Sequence, residues 1–313
     1  MLIKPIHSFQ KPVYHDHDGS EDDFVSLITL LTLDKYRLTG ISVTNANCYA
    51  EIAVESTLRI LELFCRKDVE VAISSEQSIN SFPDEWRKNK EFINFIEVLS
   101  KQKVDRTRIS KMEAADFMAE KILAETEKTT IVLTGPASNL AIAIEKYPEI
   151  IGKIEKVLWM AGAFMVDGNV KSPDHDGSAE WNIFWNPNAA SSLLKSGIPI
   201  VLFPLDACKQ LPVDNYVMYQ LKHTESQLSE LVHQLFESNY KAHLRYYMWD
   251  VLPVVYLGNP GLFQFETSFI DVELRGTSRG NIYRSSKGNK VKYAKFIKDD
   301  DFYDYFLDQL TQF

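Results

Sequence analysis

Apolar and polar positions follow two alternating rhythms along the chain. Short strand-like segments occur at residues 12–15, 37–44, 69–73, 130–133, 156–160 and 198–203, most of them nearly unbroken apolar runs and 37–44 (RLTGISVT) the most mixed. Runs of this length read as strands buried on both faces. Between them, residues 22–32, about 50–65, a segment from about Asn139 and residues 225–248 carry apolar residues at helical spacing. The alternation predicts an α/β fold: an open, mostly parallel sheet with helices on both faces. Residues 265–294 read as a small β-rich C-terminal appendage, followed by a closing helix after Asp300. Residues 74–90 are polar and aromatic without a period, and residues 161–180 read as a long loop. There is no low-complexity linker and no repeat, so residues 1–313 are read as one domain.

Composition changes this picture little. The 313 residues are 45% apolar and 12% aromatic, enough for a sizeable core. The net charge of -9 comes from acids and bases mixed along the chain, with no long basic run, which argues against nucleic acid as a partner. Cys48, Cys65 and Cys208 are too few and too far apart for a disulfide framework or a CxxC zinc site. The opening MLIKPIHSFQKPVY has no apolar leader-like core, and no run of about 18 apolar residues follows. The expectation is a soluble, cytoplasmic protein with no membrane partner.

Charge patterning matters most in VYHDHDGSEDDFVSL, where Asp16, Asp18, Asp22 and Asp23 crowd the end of the first predicted strand. Ligands of open α/β sheets bind beyond the carboxyl ends of the strands. The TGPASN turn after 130–133 and the loop after KVLWM occupy equivalent places. Clustered carboxylates repel one another unless their pKa values rise or a cation binds. An all-oxygen set without sulfur or imidazole suits a hard ion, Ca²⁺ or Mg²⁺. Gly19 allows the sharp turn that aims Asp18 and the Asp22–Asp23 pair at one point. Helix-start acids also answer the helix dipole, and that alone would explain Asp22 and Asp23. The pentapeptide DHDGS returns at Asp174–Ser178, but without a preceding strand or a following Asp pair, and reads as an echo or a lid turn.

The pattern D-x-D-G-x-x-D-D resembles the N-terminal signature of the nucleoside hydrolases. Five further segments match that family in order: ISVTNANCYAEIAVESTLRIL, LTGPASNLAIAI, GNV followed by AEWNI, FPLDACKQ around Asp206, and WDVLPVVYLGNP. The resemblance implies N-glycosidic hydrolysis of nucleosides with one bound Ca²⁺. Its metal ligands would be Asp18, Asp23, Asp250 and the main-chain carbonyl of Ser138. Asp18 would be general base, Asp22 would meet the ribose 2′-hydroxyl and Asn182 the 3′-hydroxyl. Asn169 and Glu180 would hold the 5′-hydroxyl, Asn47 would orient the pocket floor, and Asp16 would support the others.

In the inosine-uridine-preferring branch a His precedes the last aspartate; here that position is Trp249. This resembles instead the purine-specific inosine-adenosine-guanosine branch, in which a Trp stacks on the base and a second Trp on a loop covers it. FPDEWRKNKEF resembles that loop and gives Trp86. The implied substrate is a purine ribonucleoside; the family forms dimers or tetramers, and a homodimer is the expectation here. Trp159, Trp181 and Trp185 read as core or pocket wall. His15 and His17 read as orienting groups, and His243 as a structural His before a general acid. Three alternatives stand beside this reading. The pocket of such a hydrolase could take pyrimidines. YHDHDGS also opens like haloacid-dehalogenase-type phosphatases, with Asp16 as nucleophile. The chain could also bind nucleoside and Ca²⁺ without turnover.

Overall fold

The computed structural model describes residues 10–84, 87, 96–241 and 245–311. Nine strands form one sheet in the order β3-β2-β1-β4-β5-β6-β9-β7-β8. The first six are β1 (Lys11–His17), β2 (Tyr36–Val43), β3 (Val71–Ile73), β4 (Thr129–Leu133), β5 (Ile154–Trp159) and β6 (Ile200–Leu202). All their pairings are parallel. The apolar runs follow from burial on both faces. Along β1, Val13 enters the core cluster of one face and Tyr14 that of the other. In the same way Val132 and Leu158 point one way, and Ile131, Leu133, Val157 and Trp159 the other. This is the period-2 alternation of a pleated strand.

The C-terminal strands β7 (Phe263–Val272), β8 (Ile282–Arg284) and β9 (Asn289–Ile297) are antiparallel to one another where they pair. They are not set apart from the main sheet. β9 runs parallel to β6, with Val201 opposite Lys292 and Leu202 opposite Tyr293. The closing helix, Asp299–Leu310, buries Phe302 and Phe306 in the same core cluster as Leu27 and Ile28 of the helix Glu21–Thr32.

Two helical readings shift. The expected helix over 225–248 is observed as Gln227–Lys241, and residues 245–248 are extended. There Val213 N donates to Tyr246 O at 2.9 Å and Met248 N to Leu211 O at 3.0 Å, so pairing with the 211–213 segment replaces the helix ladder. The helix Ala114–Ala124 was not expected; its Ala114, Phe117, Met118 and Ile122 cover the Tyr14 face of the sheet. Among the described residues no helix is long and apolar enough to cross a membrane.

β1 lies at the centre, flanked by β2 and β4. Its carboxyl end, the ends of β4 and β5, and the segments that follow them surround one hollow.

Candidate functional site

β1 ends at His17, and the chain turns at Gly19 with φ +85°. A Cβ on Gly19 would stand 2.4 Å from Ala53 Cβ and 2.9 Å from Cys48 Cβ, so both backbone conformation and space demand glycine. The turn brings Ser20 to the N-cap of the helix Glu21–Thr32, with Asp22 and Asp23 in its first turn. Asp23 Oδ2 accepts from Ser20 N at 2.8 Å. The Ser20 hydroxyl lies 2.6 Å from Asp22 Oδ1, 2.9 Å from Asp23 Oδ2 and 3.3 Å from Asp250 Oδ2. Asp250 comes from the turn before the helix Val251–Gly258, and its N–H donates to Asp22 Oδ2 at 3.3 Å. Asn47 N donates to Asp18 Oδ2 at 3.2 Å, so this asparagine holds Asp18 through its backbone.

The opposite wall starts where β4 ends. Thr134 Oγ1 donates to Asp23 Oδ1, and Asn182 Nδ2 donates to Thr134 O at 3.1 Å and Met160 O at 3.0 Å. With both its N–H groups directed to the protein, the Asn182 amide oxygen is the group left to accept from a ligand. Glu180 caps the helix Trp181–Trp185, accepting from Asn182 N at 2.8 Å and Gly162 N at 3.0 Å. Asn169 Oδ1 accepts from Trp181 N at 3.1 Å. Asp206 lies behind this wall and pins the loop after β5, accepting from Phe164 N at 2.8 Å and Met165 N at 2.7 Å.

These groups line a cavity of about 580 Å³ with Asp18, Asp22, Asn47, Asn169, Glu180, Asn182, Trp249 and Asp250, a size suited to a small-molecule ligand. Asp23 lies just beneath, fully buried. The walls hold residues the sequence reading had not assigned to the site, among them Thr134, Met160, Phe82, Tyr246 and Arg245. Tyr246 donates its hydroxyl to Asp22 Oδ1 at 2.6 Å, and its ring meets Trp249 edge-on with centroids 4.7 Å apart. Trp181 is pocket wall, stacked on Phe82 at 4.5 Å, whereas Trp159 and Trp185 are core. Trp86 and His243 lie outside the described residues.

One predicted ligand is not brought to the cavity. Ser138 is the first residue of the helix Ser138–Lys146, and its hydroxyl accepts from Asn186 Nδ2 at 2.9 Å. A helical carbonyl points along the helix toward its C-terminus, away from the strand ends. The backbone oxygen at the site belongs to Thr134, four residues earlier, directly at the end of β4 as Asp18 is at the end of β1.

Burial sets the electrostatics. Desolvation, then the neighbouring carboxylates, holds Asp18 and Asp250 well above the usual carboxylate range. The same causes push Asp23 up to about 6. Asp16 rises to about 8 and Glu180 to about 7, both through burial. His15 and His17 are driven down by burial, His17 to about 3, and stand neutral behind the cluster. His15 Nε2 lies 3.2 Å from Thr134 Oγ1, and His17 Nε2 3.2 Å from Thr57 Oγ1.

The donor set fits a hard cation in its chemistry. One hydroxyl carries one proton, yet three carboxylates face the Ser20 hydroxyl. Protons or a cation must supply what the hydroxyl cannot, and no Lys or Arg makes an ion pair with any of these acids among the described residues. As they stand, no group of three or more His, Cys, Asp or Glu among the described residues is drawn together tightly enough to hold an ion. The carboxylates are spent on one another and on Ser20, so binding requires their oxygens to turn to a common point.

Two other readings find no support here. Asp16, the nucleophile of a phosphatase reading, is 1% exposed and does not line the cavity; Asn139 Nδ2 donates to its Oδ1 at 2.9 Å. The second DHDGS is a docked loop. Asp176 accepts from Ser178 Oγ at 2.6 Å and from Ser278 Oγ, while Arg279 Nη2 donates to Asp174 Oδ2 at 2.7 Å.

Comparison with known proteins agrees with this geometry. Residues 13–304 match the family model described as inosine-uridine preferring nucleoside hydrolase. A solved inosine-uridine preferring nucleoside hydrolase from Bacillus anthracis is 34% identical, covers 97% of this chain and 100% of its own, and superposes with a TM-score of 0.92. A pyrimidine-specific ribonucleoside hydrolase of Shewanella woodyi is 27% identical over 281 residues, 85% of each chain. A purine-preferring ribonucleoside hydrolase from Gardnerella vaginalis, 23% identical over 96% of this chain and 98% of its own, shares the fold at a TM-score of 0.78.

Proposed function

The chain belongs to the inosine-uridine preferring nucleoside hydrolase family, whose members hydrolyse N-glycosidic bonds, and from that premise we propose that it cleaves purine ribonucleosides to free base and ribose. The observation that carries the reading is the single cavity in which Asp18, Asp22 and Asp250 face Asn169, Glu180 and Asn182 below an aromatic rim that includes Trp249.

Breaking the N–C1′ bond builds positive charge on the ribose ring. Carboxylates fixed around the sugar stabilise that charge where water is excluded. Asp22 takes the 2′-hydroxyl, Asn182 the 3′-hydroxyl, and Asn169 with Glu180 the 5′-hydroxyl. Water oxygen bonds to C1′ as the base departs with the bonding pair, and Asp18 removes the water's proton. Burial and the neighbouring carboxylates raise its pKa above the usual carboxylate range, which makes the ionised form the stronger proton acceptor. Asn47 N–H keeps Asp18 oriented. Asp18, Asp23, Asp250 and the Thr134 carbonyl would hold the Ca²⁺, which supplies a lowered pKa to the attacking water when bound. Trp249 stacks on the base, an interaction worth about 1–3 kcal/mol.

A pyrimidine preference is the second reading, favoured by the 27% identical relative from Shewanella woodyi that is named for pyrimidines. The test is kcat/KM for inosine, adenosine, guanosine, uridine and cytidine, with and without chelation. Purine turnover that chelation abolishes is expected. Turnover of uridine and cytidine alone would discard the purine assignment while keeping the hydrolase. No release of base from any of them would overturn the activity.

A further inference from the structure

Asn239 lines the cavity without a part in holding the ribose or the attacking water. It stands near the end of the helix Gln227–Lys241, is 6% exposed, and its Nδ2 donates to Glu21 Oε1 at 3.0 Å. Glu21 opens the helix Glu21–Thr32 and is itself buried. A carboxylate accepts and does not donate, so the amide nitrogen of Asn239, not its oxygen, faces Glu21. That contact fixes which way round the amide stands. Among the described residues no group donates to its Oδ1. The acceptor half of a nearly buried amide is thus left on the cavity wall for whatever enters.

That wall also carries the aromatic rim. Phe236, one turn earlier on the same helix, packs on Tyr246 with ring centroids 5.7 Å apart, and Tyr246 meets Trp249. Asn169, Glu180 and Asn182 belong to the segments after β5, on the other wall. An acceptor on the Trp249 side meets the base rather than the 3′ or 5′ side of the sugar. We infer that Asn239 is a specificity-determining residue: aimed by Glu21, its amide oxygen accepts a hydrogen bond from an N–H of the base. The inference rests on the proposed N-glycosidic cleavage, with the base against Trp249. Stacking tolerates any base, because every base has a π-face; a fixed acceptor at the base's edge does not. The favoured substrates are nucleosides whose base carries a donor there, such as N1–H of hypoxanthine or the 6-amino group of adenine. A base without one leaves the oxygen unpaired, and a site built to accept an N–H rejects such an analogue.

The experiment measures kcat/KM for inosine and for purine riboside, whose base has no N–H, with the unaltered full-length chain and with Asn239→Ala and Asn239→Leu. Comparing the ratio of the two nucleosides between variant and unaltered chain cancels the different ease with which the bases leave, and any loss of folded enzyme. Both variants are expected to lose at least about tenfold on inosine and no more than about twofold on purine riboside. An equal loss on both would overturn the inference and leave Asn239 a structural link between two helices. Should neither variant fold, inosine against 1-methylinosine on the unaltered chain carries the test. The methyl group removes N1–H, so much slower cleavage is expected and equal turnover would overturn the inference. If the unaltered chain cleaves uridine and not inosine, uridine against 3-methyluridine replaces the purine pair with the same two outcomes. Release of base from none of these by the unaltered chain would overturn the cleavage reading itself, a separate failure.

Discussion

Asp18 meets two opposed demands. It lies buried beside other carboxylates at the end of β1, and in the proposed reaction it accepts a proton. An asparagine there would keep the bond from Asn47 N and relieve the repulsion. Asp18→Asn is therefore expected to lower kcat by about 10²–10⁴, the usual range for a lost general base. In chelator the variant should melt no lower, and by this argument higher, than the unaltered chain. Single-turnover base release and melting curves check the two halves; activity near the original level would sink the general-base assignment. At this scale the sequence was informative where chemistry alone decides position. Asp18 was legible as one of four acids crowding the end of the first strand, Asp22 only in company with it, since a helix start alone explains an acid there, and Asp250 only through the family resemblance. Thr134 was not, because a backbone oxygen leaves no residue-type signal. The signal available was topological: Thr134 ends β4 as Asp18 ends β1, and those strands are neighbours.

The second DHDGS acts at the scale of elements. Arg279, in the turn between β7 and β8, donates from Nε to Asn80 Oδ1 at 2.9 Å and from Nη2 to Asp174 Oδ2 at 2.7 Å. Its guanidinium lies over the Phe184 ring, 5.0 Å from the centroid. Asn80 in turn donates from Nδ2 to Phe184 O at 2.7 Å. One side chain thus fastens the segment bearing Phe82, the loop bearing Asp174 and the helix bearing Trp181 and Asn182. Removing it frees the wall without touching the carboxylates. Arg279→Ala is expected to raise KM about three- to tenfold with kcat within about threefold, since misplaced positioning groups weaken binding before chemistry. A fall in kcat with KM unchanged would contradict this division. The clamp also shows what pattern reading reaches. Apolar periodicity located the parallel strands, whose burial on both faces leaves long apolar runs. It could not attach β9 to β6, because pairing across about ninety residues writes nothing local into either strand. Nor could it end the helix Gln227–Lys241, where pairing of residues 245–248 with 211–213 overrides a helical pattern.

For the whole molecule the buried acids tie stability to pH and to the cation together. Asp23 at about 6, Glu180 at about 7 and Asp16 at about 8 all lie above their unfolded values near 4. These acids therefore hold more protons in the native than in the unfolded chain between about pH 4 and 8 and make stability fall as pH rises, while His15 and His17, driven down by burial, oppose that fall below about pH 6.5. The contribution of each group is complete below its unfolded pKa and lost as pH passes through the folded one. A cation reverses the sign for the groups it contacts, since it favours the ionised carboxylates. At 100 times Kd it would add about 2.7 kcal/mol, on the order of 5 °C in melting temperature for a chain of this size. Melting curves from about pH 6.5 to 8 should thus decline in chelator and decline less with Ca²⁺, the two series separating as pH rises. Because Asp16 and Glu180 stand apart from the proposed ligands, part of the decline should survive saturation with the ion. Glu180→Gln, which cannot ionise, should remove a share of that remainder. Parallel curves with and without Ca²⁺ would mean that the carboxylates are not what the cation meets. A chelator series that rises with pH would mean that their protons are not held as their burial requires.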